Sequence, residues 1–138
     1  RDLLEDIIPM IDKKYRTIAE RRRRAIVGFS MGGGQAGRFG LRHLETFSQV
    51  GIMSAGMAGG ADTEPLSTLA ADPAKANKQI DLLWIACGKE DTAMKGAKTL
   101  HTALEQAGIK HTFLETEGAH HWRVWRRYLR DLAPLLFK

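Results

Sequence analysis

A single cysteine, Cys87, occurs in the 138 residues, so no disulfide can form within the chain and the fold has to stand on packing alone. A cysteine-rich metal site is excluded by the same count. Long apolar runs are also missing: none approaches the roughly 18 residues that a membrane-spanning helix needs. The opening RDLLEDIIPM has acidic residues among its apolar positions and does not read as a signal peptide. It also lacks an initiator Met, so the sequence reads as a piece of a longer protein and leaves localisation open. Internal repeats and low-complexity stretches are absent. What remains is ordinary globular composition, 43% hydrophobic and 27% charged, enough for one domain over residues 1–138.

Lys and Arg number 21 against 16 Asp and Glu, a net charge of +5. The excess falls at Arg21 to Arg24, a polar lead-in to an apolar run, and at Arg123, Arg126, Arg127 and Arg130, which at helical spacing form a solvated face. No recognition motif or aromatic interleaving accompanies this charge, so a nucleic-acid partner is not expected.

Apolar residues at Leu3, Leu4, Ile7, Ile8 and Ile11 recur at helical spacing and predict an amphipathic helix bent at Pro9. Four short apolar runs read as buried strands: Ala25 to Phe29, Val50 to Ala55, Leu82 to Cys87 and His111 to Glu115. Met31 to Leu44 reads as a helix, Gly56 to Gly60 as a loop, and Ala61 to Gln79, with Pro65 and Pro73, as short helical turns between breaks rather than one long element. Ala93 to Ala107 predicts a helix capped by Gly108, and Trp122, Trp125, Leu129 and Leu132 predict the apolar stripe of a last helix ended by Pro134. Strand and helix alternate with no hairpin signal, which predicts an α/β fold with a parallel sheet.

Gly28-Phe29-Ser30-Met31-Gly32 fits G-x-S-x-G, with a buried strand before it and a helix after it. That context exposes a serine hydroxyl on a sharp turn, with small residues two positions either side so that strand and helix pass closely. A phosphate-cradling loop is disfavoured, since no Lys follows the glycines and G-x-G-x-x-G is not matched. A serine nucleophile needs an imidazole to take its proton and a carboxylate to orient that imidazole. Past the third strand stands Asp91, with Glu90 as its competitor; past the fourth stand His120 and His121. His43, His101 and His111 fall in elements where surface or packing roles are expected. The adjacent His120 and His121 do not have metal-ligand spacing, so no metal and no cofactor is implied.

The segments AIVGFSMGGGQAGRFGL, VGIMSAG, ACGKED and GAHHWRVWRRYLRDLAPLLF resemble the esterase group of the α/β-hydrolase superfamily, which includes feruloyl and acetylxylan esterases, esterase D, enterochelin esterases and mycolyltransferases. The feruloyl esterase-like branch is the most similar, with its S-M-G-G turn and G-x-H-x-W histidine. The resemblance implies a three-layer sandwich, a truncated α/β-hydrolase with about four parallel strands flanked by helices. It makes Ser30 the nucleophile, His120 the base, Asp91 the acid and the Met31 amide an oxyanion donor, with Trp122 and Gln35 lining the substrate site. The implied activity is hydrolysis of short-chain or aryl esters, feruloyl or acetyl, free or linked to polysaccharide. The alternatives are a fragment impaired by an incomplete oxyanion hole, and acyl transfer by the same three residues. Family members carry strands before the nucleophile turn, one of whose loops donates a second oxyanion amide; its loss would lower turnover about a hundred- to a thousandfold. An uncovered edge at Ala25 to Phe29 predicts either a homo-oligomer or a rearranged first helix over that edge.

Overall fold

Each apolar run becomes one strand of a single sheet in the computed structural model, which describes residues 2–57 and 64–138. The strands are β1 (Ala25–Phe29), β2 (Gln49–Met53), β3 (Leu82–Gly88) and β4 (Thr112–Thr116), each boundary within two residues of the run that predicts it. They pair in sequence order, all parallel, with Gly28 opposite Ile52, Ile52 opposite Ile85 and Ile85 opposite Phe113. Parallel neighbours need crossovers, and the helices supply them: α2 (Met31–Arg42), α3 (Glu64–Ala71), α4 (Pro73–Gln79) and α5 (Met94–Gln106). One consequence governs the rest: every strand ends at the same side of the sheet.

Burial on both faces explains why these strands read as continuous apolar runs rather than alternating ones. On one face Val50, Ile52, Leu83 and Ile85 pack against Leu41, Leu69, Leu100 and Leu104. On the other, Met53, Trp84 and Ala86 pack against Val124, Tyr128 and Leu132 of the last helix, α6 (Trp122–Leu132). The predicted stripe of α6 is corrected here. Trp122 and Leu129 are exposed, and the buried face is Val124, Tyr128 and Leu132 at i, i+4 and i+8, with Trp125 at its margin. The helix is rotated because Tyr128 fits under the sheet, with its hydroxyl hydrogen-bonded to Thr116 Oγ1 at 2.6 Å. A buried phenol needs such a partner.

The region to Gln79 is two short helices with a break before Pro73, as the sequence predicts, and each proline stands in the first turn of its helix. Pro73 follows the N-cap Asp72, whose carboxylate accepts from the Lys75 amide at 3.0 Å, and the missing proline N–H costs nothing at that position. Pro9 likewise stands in the first turn of α1 (Ile8–Lys14), after a π-helical turn over Leu3–Ile7. The predicted Gly108 cap is present: at φ +69 it closes α5, with the Ile109 amide donating to Leu104 O at 2.9 Å. The predicted loop at Gly56 to Gly60 lies in part, from residue 58, outside the described residues.

Among the described residues β1 pairs only with β2 and is one edge of the sheet. The first helix is tied to the residue before this strand by the ion pair of Arg24 with Asp12 at 2.6 Å. Between them an apolar groove of about 610 Å³ is lined by Ile7, Ile8, Ile11, Ile26 and Phe47, among others.

Two leucines on α6 test this packing. Leu132→Ala, at a fully buried position, should cost about 2–5 kcal/mol, whereas Leu129→Ala, 52% exposed, should stay within about 0.5 kcal/mol. Urea denaturation measures both, and equal losses would place the helix face wrongly.

Candidate active site

Ser30 sits between the last residue of β1 and the first of α2, at φ 53 and ψ −127. Few non-glycine residues adopt this conformation, which costs on the order of 1–3 kcal/mol and persists only where the surroundings enforce it. Two backbone hydrogen bonds do so: the Ser30 amide donates to Met53 O at 2.9 Å, and the Gly34 amide donates to Ser30 O at 3.1 Å. The turn is tight enough that a Cβ on Gly28 would lie 2.1 Å from the carbonyl oxygen of Gly32. Gly32 itself faces open space, so the close packing expected of its side chain position belongs to Gly33, whose Cβ would lie 2.9 Å from both Met53 O and Ala55 Cβ.

The end of β3 delivers Asp91. Its amide donates to Gly88 O at 3.0 Å, turning the chain back so that the carboxylate is buried, 5% exposed. The Asp91 Oδ1 atom accepts from the Ala93 amide at 2.8 Å and from His120 Nδ1 at 2.8 Å. The end of β4 delivers His120. Gly88 and Gly118 approach so closely that a Cβ on Gly88 would fall 1.8 Å from the Gly118 carbonyl oxygen, and Gly118 turns the chain at φ +117. His120 Nε2 then lies 2.8 Å from Ser30 Oγ. Three residues separated by 29 and 90 positions along the chain thus form one hydrogen-bonded series. An Asp91 acceptor on Nδ1 leaves Nε2 of the neutral ring free to accept from the serine hydroxyl.

Burial of Asp91 alone would raise its pKa, but hydrogen bonds to its carboxylate, the Ala93 amide first and His120 among them, outweigh that effect and hold the carboxyl below its ordinary 3.8. Nearby Cys87 is pushed the other way, to about 12, first by burial and then by the Asp91 charge, and stays a neutral thiol.

Glu90, the alternative acid, is elsewhere: its carboxylate accepts from the Gly118 amide and braces the loop that carries His120. His121 is exposed at the start of α6 and takes no part in the series. His43 bonds Glu45 at 3.0 Å, and His101 bonds His111 at 2.8 Å, away from Ser30. Met31 is 78% exposed, and as the first residue of α2 its amide has no partner within the helix. Gln35 is exposed one turn further along α2 and joins none of these hydrogen bonds. Trp122, 56% exposed, stands edge-on to Phe29 at 5.4 Å. Phe29 stacks on Trp125 at 4.4 Å, and Trp125 meets the His120 ring edge-on at 5.0 Å. The result is an aromatic wall beside the Ser30 hydroxyl. The apolar groove under the first helix contains none of these residues. Among the described residues, no group of three or more His, Cys, Asp and Glu could hold a metal ion, and no helix is long and apolar enough to cross a membrane.

The model of the family described as "Putative esterase" matches residues 1–135. The chain belongs to this esterase family. Among its relatives, the endo-1,4-beta-xylanase/feruloyl esterase of Xylanibacter ruminicola is 34% identical over 137 residues, 99% of this chain and 17% of that protein. A solved ferulic acid esterase superimposes with a TM-score of 0.85 at 26% identity, over 99% of this chain and 61% of that one. The ferulic acid esterase of Anaeromyces mucronatus, solved in complex with ferulic acid, gives 0.83 at 24% identity over 99% and 53%, a likeness of fold. The chain thus spans less than two thirds of these proteins. Its sheet is the α/β-hydrolase sheet expected from the sequence, with four parallel strands flanked by helices.

Two contributions in this esterase-family chain are not foreseen in the sequence: Glu90, expected there only as a competitor for the acid, braces the His120 loop instead, and Phe29 faces the site. Phe29 reads as a buried strand residue, yet it is 39% exposed because β1 ends at the site. Its place inside the G-x-S-x-G pattern, directly before the serine, was the available signal.

The lowered Asp91 value carries a stability consequence. The folded carboxyl holds its proton less tightly than the unfolded one, so its stabilisation is complete above the unfolded value near 4 and is lost as pH falls through the lower folded value. Thermal melts of the wild type should therefore fall below about pH 4 more steeply than those of Asp91→Asn. Parallel curves would contradict the assignment.

Proposed function

We propose that this chain is the catalytic part of a serine carboxylic ester hydrolase, working through an acyl-enzyme. The single observation that carries the reading is the pair of 2.8 Å hydrogen bonds joining Ser30 Oγ to His120 and His120 to Asp91. In the first step His120 Nε2 takes the Ser30 hydroxyl proton as Oγ attacks the ester carbonyl, and Asp91 stabilises the imidazolium that forms. The Met31 amide donates to the developing oxyanion, a contact of the kind worth about 2.7–4 kcal/mol in the transition state. The tetrahedral intermediate collapses as His120 returns the proton to the departing alcohol oxygen. Water then attacks the Ser30 ester with His120 again as base, releasing the acid and restoring the hydroxyl.

The wall of Phe29, Trp122 and Trp125 beside the nucleophile supports an aryl acyl group as the substrate. The exposed rings of Phe29 and Trp122, backed by the partly buried Trp125, offer stacking and edge contacts to an aryl acyl group. Short-chain and aryl esters, feruloyl and acetyl among them, are the proposed substrates; the relatives named as feruloyl and ferulic acid esterases support the feruloyl member, and a further relative named acetyl esterase supports the acetyl one. The free edge of β1 supports a homo-oligomer formed through that edge. Light scattering that gives one chain per particle at every concentration would contradict it.

Hydrolysis of a chromogenic acetyl or feruloyl ester tests the reaction. Ser30→Ala and His120→Ala should each lower kcat/KM by about 10⁴-fold or more, with Asp91→Asn close behind. A wild-type rate equal to that of Ser30→Ala would sink the reading.

A further inference from the structure

The end of β2 contributes a residue that the proposed mechanism leaves unused. Ser54 follows Met53, the residue whose carbonyl holds the Ser30 amide, and its own amide donates to Ala86 O at 2.8 Å on β3. It therefore lies between the turn that carries Ser30 and the turn that carries Asp91. Ser54 is 1% exposed and sits at φ 50, a conformation that serine seldom adopts.

Two buried polar atoms at this point lack a hydrogen-bond partner of ordinary geometry: Ser54 Oγ and Asp91 Oδ2. Such atoms are rare in folded proteins, because an unmatched donor or acceptor loses its water for nothing. Asp91 Oδ1 already has two donors, the Ala93 amide and His120, so Oδ2 carries the uncompensated share of the charge. A hydroxyl whose proton can rotate is the donor this atom needs.

We propose that Ser54 is a positioning residue for Asp91, its hydroxyl donating to Oδ2 while Oδ1 holds His120. The contact acts through the carboxylate, never through the substrate. With both oxygens fixed, the carboxyl plane cannot rotate about its bond to Cβ, and the Oδ1 lone pair stays directed at His120 Nδ1. The same donor is among the groups that keep Asp91 ionised. The titratable groups that interact with Asp91 are His120, Cys87 and Tyr128; the Cys87 thiol is neutral across the working range, and the Tyr128 phenol is pushed up, first by burial. The proposal rests on the serine hydrolase reading for its effect on rate, but the hydrogen bond can be measured without turnover.

Two variants separate the hydroxyl from the backbone. Ser54→Ala removes the donor and keeps the strained φ, whereas Ser54→Gly removes the donor and suits the positive φ. If Ser54 served only to make the turn, Ser54→Gly would be harmless. If the hydroxyl holds Asp91, both variants should lower kcat by about tenfold, the effect of one charge-assisted hydrogen bond, with KM within about twofold. Both should also move the Asp91 carboxyl titration, followed by carbon NMR, to higher pH.

An Asp91 titration that stays at its wild-type position in both variants would overturn the proposal, whatever the rates. So would a fall in kcat confined to Ser54→Ala. A wild-type rate no greater than that of Ser30→Ala would remove the hydrolase reading instead, and the NMR titration would still decide the contact.

Discussion

A serine held at φ 53 and ψ −127 is the constraint on which the site depends, because this turn ends β1 and starts α2 at the next residue while placing the hydroxyl within reach of His120. Left alone, the chain would relax. It is prevented from doing so by the neighbouring strand, through Met53 O, and by the first turn of α2, through Gly34. That restraint requires β1 and β2 to be in register and α2 to lie close on both, and the glycines at 28 and 33 allow the approach. The strain of on the order of 1–3 kcal/mol is thus held by packing several residues away.

The parallel sheet does the rest of the positioning. Because all four strands end on one side, the turns after β1, β3 and β4 converge, and Ser30, Asp91 and His120 meet without any of the three being near another in sequence. Close backbone contact between Gly88 and Gly118, with Glu90 on the Gly118 amide, fixes the separation of the last two turns. The electrostatics agree with this layout. A buried carboxylate is kept ionised by donors aimed at it, and a thiol at the same depth is kept neutral.

Much of this was legible in the residues. Buried parallel strands announce themselves as short apolar runs, so Leu82 to Cys87 is found nearly to the residue, and glycine at a helix end has one geometric meaning, so Gly108 is found as well. The order of Ser30, Asp91 and His120 was read from chemistry and from a family resemblance. The choice between Asp91 and Glu90 rested on that resemblance, since adjacent carboxylates in one turn differ only in the direction they point. The face of α6 was misread because tryptophan and leucine count as apolar in any periodic pattern, while Tyr128, with its hydroxyl on Thr116, does not. At Trp122 the apolar surface is left open beside the serine instead of being buried. Ser54 carried no sequence signal at all: its meaning comes from a carboxylate oxygen that only folding brings near it.

The central claim is that His120 and Asp91 activate the Ser30 hydroxyl. It is tested most directly by treating the chain with a fluorophosphonate probe and locating the adduct by mass spectrometry, with His120→Ala alongside. The account predicts one adduct per chain, on Ser30, at a rate that rises with pH and collapses in His120→Ala. Absence of labelling at Ser30, or equal labelling of the two proteins, would contradict it.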